Sequence, residues 1–270
     1  MRYFLNCNII AAVLFFYFNP VAIAESPKIA IVIDDMGYRS TDRAAIQLKG
    51  QFTFAIVPFA PLTKQLAVAA YDSDREVIAH LPMEATRSNH LLGKGALLTS
   101  MDEAQTRAQI NQSLDNIPHI RGLNNHMGSK YTAHSQSLQW LMDELNQRNL
   151  YFLDSLTTPL SIAERSATQS GLKTAHRHIF LDNQLDNAYL TTQFNRLISI
   201  AHSNGYAIAI AHPHPETVSF LNNIEGVLAE NNIELVPLST LLPRTTAQAR
   251  RVHFSQSAAG KATIKQTAPN

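Results

Sequence analysis

Apolar runs that stop abruptly at polar residues organise this chain. In the stretch 28–37, KIAIVIDDMG, β-branched residues continue without alternation up to two adjacent carboxylates and a glycine. A run that is apolar at both parities reads as a strand covered on both faces, as in parallel sheets flanked by helices. Comparable strands are predicted at 52–57, 76–79, 122–125, 150–153, 174–181, 206–211 and 233–238. Segments of helical spacing lie between them, at 41–48, 62–71, 103–116, around Leu138, Leu141, Met142 and Leu145, before Gly171, at 186–204 and at 216–230. Ser100 and Glu103 have capping-box spacing for the third of these. Gly205 suits the C′ position of the helix that precedes it.

Seven or eight strands separated by helices, with no internal repeat, imply a parallel α/β sheet. A body of residues 25–243 has the length at which such a sheet closes into a single-domain (β/α) barrel. No glycine-rich phosphate loop follows the first strand, which counts against a dinucleotide-binding reading.

The two ends of the chain fall outside that pattern. Arg2, an apolar stretch at 9–18 and Ala22-Ile23-Ala24 have the charged, apolar and small-residue order of a secretory signal peptide cleaved after Ala24. The apolar stretch is short for a membrane span, so cleavage is expected rather than an anchor. Cys7, the one cysteine, falls inside the expected signal peptide, so an exported mature protein relies on its core instead of disulfides. Residues 244–270 hold five basic residues and no acid among Ser, Thr, Gln and Ala, the composition of a disordered basic tail. With the 22 basic and 21 acidic residues so divided, the body carries a net charge of about −5. No basic, aromatic-studded stretch suggests nucleic acid.

Composition matters less than where the polar residues fall. In a parallel barrel the C-terminal strand ends converge on one face, and sites are built there. Those ends carry Asp34 and Asp35, then His80 and Glu84, Asn125 and His126, Asp154, and finally His212 and His214. A carboxylate with two imidazoles and room for water is the donor set of a catalytic divalent ion, Zn²⁺ foremost. His176 and His178 lie towards the start of their strand and are read as structural.

The residues resemble the polysaccharide deacetylases (NodB-like carbohydrate esterases), and in particular the divergent polysaccharide deacetylase family of bacterial envelope proteins. The motifs that carry the resemblance are Ile33-Asp34-Asp35-Met36-Gly37, His80-Leu81-Pro82-Met83-Glu84, Asn124-Asn125-His126-Met127-Gly128-Ser129, Phe152-Leu153-Asp154-Ser155 and His212-Pro213-His214. The resemblance implies a distorted barrel and metal-dependent removal of N-acetyl groups from an envelope glycan. It implies Asp34 as general base, His212 as general acid, and Asp35 and His80 as metal ligands. The main family places a second ligand histidine four residues after the first; here that position is Glu84. Either Glu84 ligates or His126 replaces it, and His126 is the expected third ligand. Glu84, Asn125, Asp154 and His214 are then expected on the substrate side. The main family's Arg-x-Pro-Tyr and Asp-Trp motifs are missing. Two alternatives stay open: a metal-containing glycan- or peptide-binding barrel without turnover, and another metal-dependent hydrolase such as an amidase or phosphoesterase.

Export gives the first test. Intact-mass measurement on protein recovered from the periplasm is expected to place the N-terminus at Glu25, and recovery of residues 1–24 in membranes would instead show an anchor.

Overall fold

A computed structural model describes residues 25–242. The expected signal peptide and basic tail lie outside the described residues. Nine strands form one all-parallel sheet: β1 (Lys28–Met36), β2 (Thr53–Ile56), β3 (Glu76–Met83), β4 (Ile120–Met127), β5 (Tyr151–Asp154), β6 (Thr174–His176), β7 (Ile179–Phe180), β8 (Tyr206–Ala211) and β9 (Glu234–Leu235). Their order is β6-β5-β4-β3-β2-β1-β8-β7, with β9 paired to the foot of β1. Eight helices connect them: α1 (Asp42–Ile46), α2 (Thr63–Asp72), α3 (Glu103–Asn116), α4 (Ser135–Gln147), α5 (Ala163–Gln169), α6 (Asn187–Asn204), α7 (Pro215–Leu221) and α8 (Glu225–Glu230).

The sheet returns on itself through one segment. Residues 174–181, expected as a single strand, pair first with β5 and then with β8. The handover falls at two consecutive amides: Arg177 N–H donates to Asp154 O, and His178 N–H donates to Ile208 O. Counting that segment once, seven strands ring a distorted (β/α) barrel, with β9 added at its foot.

Alternation sorts each strand into two cores. Ala30, Val32, Ala55, Ile78, Tyr151, Leu153, Ile208 and Ile210 fill the lumen. Their neighbours Ile29, Ile31, Ile33, Leu123, Phe152 and Ala209 pack outward against helix residues such as Leu138, Leu141, Phe194 and Leu197. The floor of the barrel is closed by Val236, Leu238, Leu241 and Leu242. Leu238 N–H donates to Thr53 Oγ1 and Ser239 N–H to Glu76 Oε1, both acceptors being at strand starts.

That floor explains one departure from expectation. The final strand is confined to Glu234–Leu235, because Pro237 diverts the chain into a 3₁₀ turn at Leu238–Leu241 that plugs the lumen. Other boundaries shift too. The capping box of α3 is Asp102 with Gln105, since the Asp102 carboxylate, not the Ser100 hydroxyl, accepts Gln105 N–H. The helix expected over 216–230 is two helices, α7 and α8, separated at Asn222–Ile224.

Luminal space is tight where Gly122 faces Tyr151. A Cβ on Gly122 would sit 2.4 Å from two ring carbons of Tyr151. The ring is buried, and its hydroxyl donates to Glu76 Oε1 at 2.9 Å, so it cannot swing away freely. Gly122→Ala is expected to cost about 1–3 kcal/mol through overpacking and to lower Tm by several degrees in a thermal melt; an unchanged Tm would show that the lumen can yield.

Candidate metal centre and its proton-transfer groups

The strand that carries Asp34 and Asp35 must turn two consecutive carboxylates toward one space. Alternation alone would send one in and one out. Asp34 shares the parity of Ala30 and Val32 and enters the lumen, where it is buried. Asp35 is brought back by a left-handed backbone (φ 58°) at a register shift between β1 and β2. Such a backbone in a non-glycine residue is strained and is held by its surroundings.

Three donor atoms meet there. Asp35 Oδ1 lies 3.0 Å from His80 Nε2 and 2.8 Å from His126 Nδ1, and the two nitrogens are 3.1 Å apart. A tetrahedral ion bound at 2.0–2.1 Å holds its ligands about 3.3 Å apart, so a small expansion admits one. Asp35 Oδ1 is buried and has no hydrogen bond of acceptable geometry, close as the imidazoles are. An orphaned carboxylate oxygen facing two ring nitrogens fits a cation. In its absence, Asp35 titrates far below the usual carboxylate range: burial opposes this, and His126 and His80 outweigh it. His80 is pushed up despite burial by Asp34 and Asp35, so a bound cation would compete with protons for it.

Asn124 holds the neighbouring groups. It pairs in register with His80 on the adjacent strand. Its Nδ2 donates to both oxygens of Asp34, at 2.8 and 3.0 Å, and to Ser155 Oγ at 3.2 Å. Its Oδ1 only accepts, so the 2.7 Å contact from His80 Nδ1 puts the proton on Nδ1 and leaves Nε2 to face Asp35. Burial raises the Asp34 pKa; His80, His212 and the Asn124 bond only partly oppose it.

His212 follows β8. Its Nδ1 donates to Asp182 Oδ1 at 2.9 Å, its backbone N–H donates to Asp182 Oδ2 at 2.7 Å, and Thr217 Oγ1 donates to that same oxygen at 2.9 Å. Nε2 lies 3.9 Å from Asp35 Oδ2. Burial would depress this imidazole, yet the Asp182 bond and charge, with Asp34 and Asp35, hold it up at about 9.

Asp34, Asp35, His80, His126 and His212 are thus brought together. The four residues expected on the substrate side are placed differently. Glu84 gives Oε2 to the Thr99 N–H and hydroxyl and Oε1 to Lys130 Nζ, so it ties loops and belongs to neither candidate metal cluster. Asn125 has the outward parity of Leu123 and clips Met127 O to Ser155 N. Asp154, outward like Phe152, accepts from Leu156 N and Ser161 Oγ. His214 stands beside His212 at 6.0 Å between rings and joins Asp182 and His212 in a second candidate cluster, whose His212–Asp182 pair is already a hydrogen bond. Asn124, Ser155 and Asp182 escaped the sequence reading. Parity would have found the first two, since Asn124 lies two residues before His126 and Ser155 two after luminal Leu153. Asp182 directly follows the predicted strand at 174–181.

A closed parallel barrel with a carboxylate–imidazole cluster and two further ionisable groups at its C-terminal rim defines an α/β barrel with a metal-type centre. The chain belongs to the divergent polysaccharide deacetylase family, whose model matches residues 31–242. It is similar to the uncharacterized protein YibQ of Escherichia coli (strain K12), 40% identical over 216 residues that make up 80% of this chain and 67% of that one. An uncharacterized protein of Haemophilus influenzae is 37% identical over 215 residues, 79% of this chain and 76% of its own length. Among solved structures, the uncharacterized protein ATU2773 from Agrobacterium tumefaciens C58 superposes with a TM-score of 0.77 at 22% identity, covering 83% of this chain and 92% of that one. It shares the fold.

The donor triangle generates a direct test. Metal analysis of protein reconstituted with Zn²⁺ is expected to find about one ion per chain, with occupancy strongly reduced in Asp35→Ala, His80→Ala and His126→Ala and retained in Glu84→Ala. Loss in Glu84→Ala but not in His126→Ala would reassign the third ligand.

Proposed function

We propose that this protein is a metal-dependent hydrolase of the cell envelope that removes N-acetyl groups from an amino-sugar glycan, breaking a C–N bond other than a peptide bond. The observation that carries the reading is the pairing of a buried carboxylate and a carboxylate-held imidazole beside one metal-type triangle. Family membership supports a carbohydrate esterase role. Envelope location rests on the N-terminal order of charged, apolar and small residues; among the described residues, no helix is long and apolar enough to cross a membrane.

Asp35, His80 and His126 would hold the ion, and their donor set suits Zn²⁺. When bound, it supplies Lewis-acid polarisation of the acetamide carbonyl and a lowered pKa for water. The chain's own groups handle protons. Asp34, with its pKa raised by burial, accepts the proton of the attacking water. Asn124 keeps both Asp34 oxygens oriented and fixes the His80 tautomer. His212, cationic through Asp182, donates from Nε2 to the departing amine nitrogen as the C–N bond breaks, giving acetate and a free amino sugar.

These roles separate by mutation and by pH. Asp34→Asn is expected to keep the metal and to cut acetate release from acetylated amino-sugar oligomers by roughly 10²–10⁴. Activity needs Asp34 ionised and His212 protonated, so it rises with pH through the first group and falls as pH passes that of the second, at about 9 before a cation draws it down. Asp182→Asn removes the main support of the cationic imidazole, so the alkaline limb moves to lower pH. A pH–rate profile checks this, and an unmoved limb would remove His212 from the acid role. Metal-loaded protein that binds glycans yet releases no acetate would assign the binding-barrel reading instead.

A further inference from the structure

One charged side chain at the rim has no part in the chemistry above. Arg177 stands at the handover where residues 174–181 cross from β5 to β8. Its Nε donates to Ser155 O at 2.8 Å and its Nη2 to Leu156 O at 3.0 Å. The guanidinium lies 3.7 Å from the centroid of the Phe180 ring, and that ring packs against the His212 imidazole at 6.2 Å and 24°. Two main-chain carbonyls and an aromatic face therefore fix its plane next to the proposed acid.

What the guanidinium lacks is a counter-ion. No ion pair among the described residues includes it. The nearby carboxylates are committed elsewhere: Asp154 to Leu156 N and Ser161 Oγ, Asp34 to Asn124. Nη1 makes no hydrogen bond among the described residues. Asp154 and Asp34 steady this half-buried cation only from a distance. With no carboxylate in contact its burial stays costly, and an arginine cannot repay that cost as an acid or base because it does not deprotonate. Its remaining use is to receive an anion, and its rigid mounting suits recognition more than a solvated lysine would.

We propose that Arg177 is a specificity-determining residue that receives, through Nη1, the carboxylate of an acidic amino-sugar glycan. This rests on the deacetylase reading and narrows it to glycans that carry a carboxylate beside the acetamido sugar. Such a group has two common sources, a uronic acid in an alternating chain and the lactyl ether of a muramyl residue.

The test is calorimetric binding to metal-loaded, full-length protein, with acetate release recorded in the same samples. The probes are a neutral N-acetylglucosamine oligomer, an oligomer of equal length alternating with glucuronate, and one alternating with N-acetylmuramate. The wild type is expected to bind at least one acidic oligomer more tightly than the neutral one, and the favoured arm identifies the source. Arg177→Gln is expected to weaken that oligomer by roughly ten- to a hundredfold, the range of a lost charge-assisted hydrogen bond, and to leave the neutral oligomer unchanged. Arg177→Lys is expected to recover part of the difference. Equal weakening of all oligomers would make Arg177 structural and overturn the proposal. Should Arg177→Gln fail to fold, the wild-type ratio decides alone: acidic binding no tighter than neutral overturns it. A preference for acid with no acetate released would sink the deacetylase reading and leave the Arg177 subsite standing.

Discussion

The site depends on the side-chain amide of Asn124. Burying the Asp34 carboxylate with no partner would cost several kcal/mol, and a buried imidazole with a free Nδ1 proton adds an unmet donor. One carboxamide answers both, giving its N–H groups to Asp34 and its oxygen to His80. It also reaches Ser155, so β1, β3, β4 and the end of β5 meet at a single residue. A shorter or non-amide side chain could serve one neighbour only. The fold supplies that residue by register, because parallel pairing sets Asn124 beside His80.

Alternation inside the closed barrel governs what else enters. Apolar runs separated by helical spacing were enough to foresee parallel strands and their order in the chain, and polar residues at strand ends marked the rim correctly. Parity then divides those polar residues. His80 follows Ile78 inward, and Asn124 and His126 enter together, whereas Asn125 and Asp154 fall on outward positions and serve as clips. Nearness to a strand end, weighed without parity, gives roles to Asn125 and Asp154 and leaves Asn124 only as part of a motif. Asp35 breaks the parity rule through its left-handed backbone, and no pattern of apolar residues announces that. The shape of the C-terminal floor was equally hidden, because Pro237 ends a run that otherwise continues as a strand.

The two proposed proton-transfer groups are both raised, one by burial and the other against it. Asp34 is raised because water is excluded from it, which outweighs the opposing charges of His80 and His212 and the Asn124 hydrogen bond. His212 is raised against burial because its partner is a carboxylate, Asp182, itself held by a backbone amide and the Thr217 hydroxyl. Burial thus sets the direction for the proposed base, and the anionic Asp182 sets it for the proposed acid. Removing the Asp182 charge would let burial draw His212 down.

Charge placement around this pair also limits what can approach it. The carboxylates Asp34, Asp35 and Asp182 stand among the imidazoles of His80, His126 and His212, and the body as a whole is acidic. An anionic ligand would therefore be repelled unless a fixed positive group offset that field at the point of contact. In the proposed reaction a bound ion would serve the acetamide of every substrate, so it would not tell an acidic glycan from a neutral one. Arg177 differs in being covalently fixed, off the triangle and mounted on Phe180 and two backbone carbonyls. On the proposed reading, discrimination between glycans by charge falls to Arg177, and a change at Asp35, His80 or His126 would alter the candidate metal site instead.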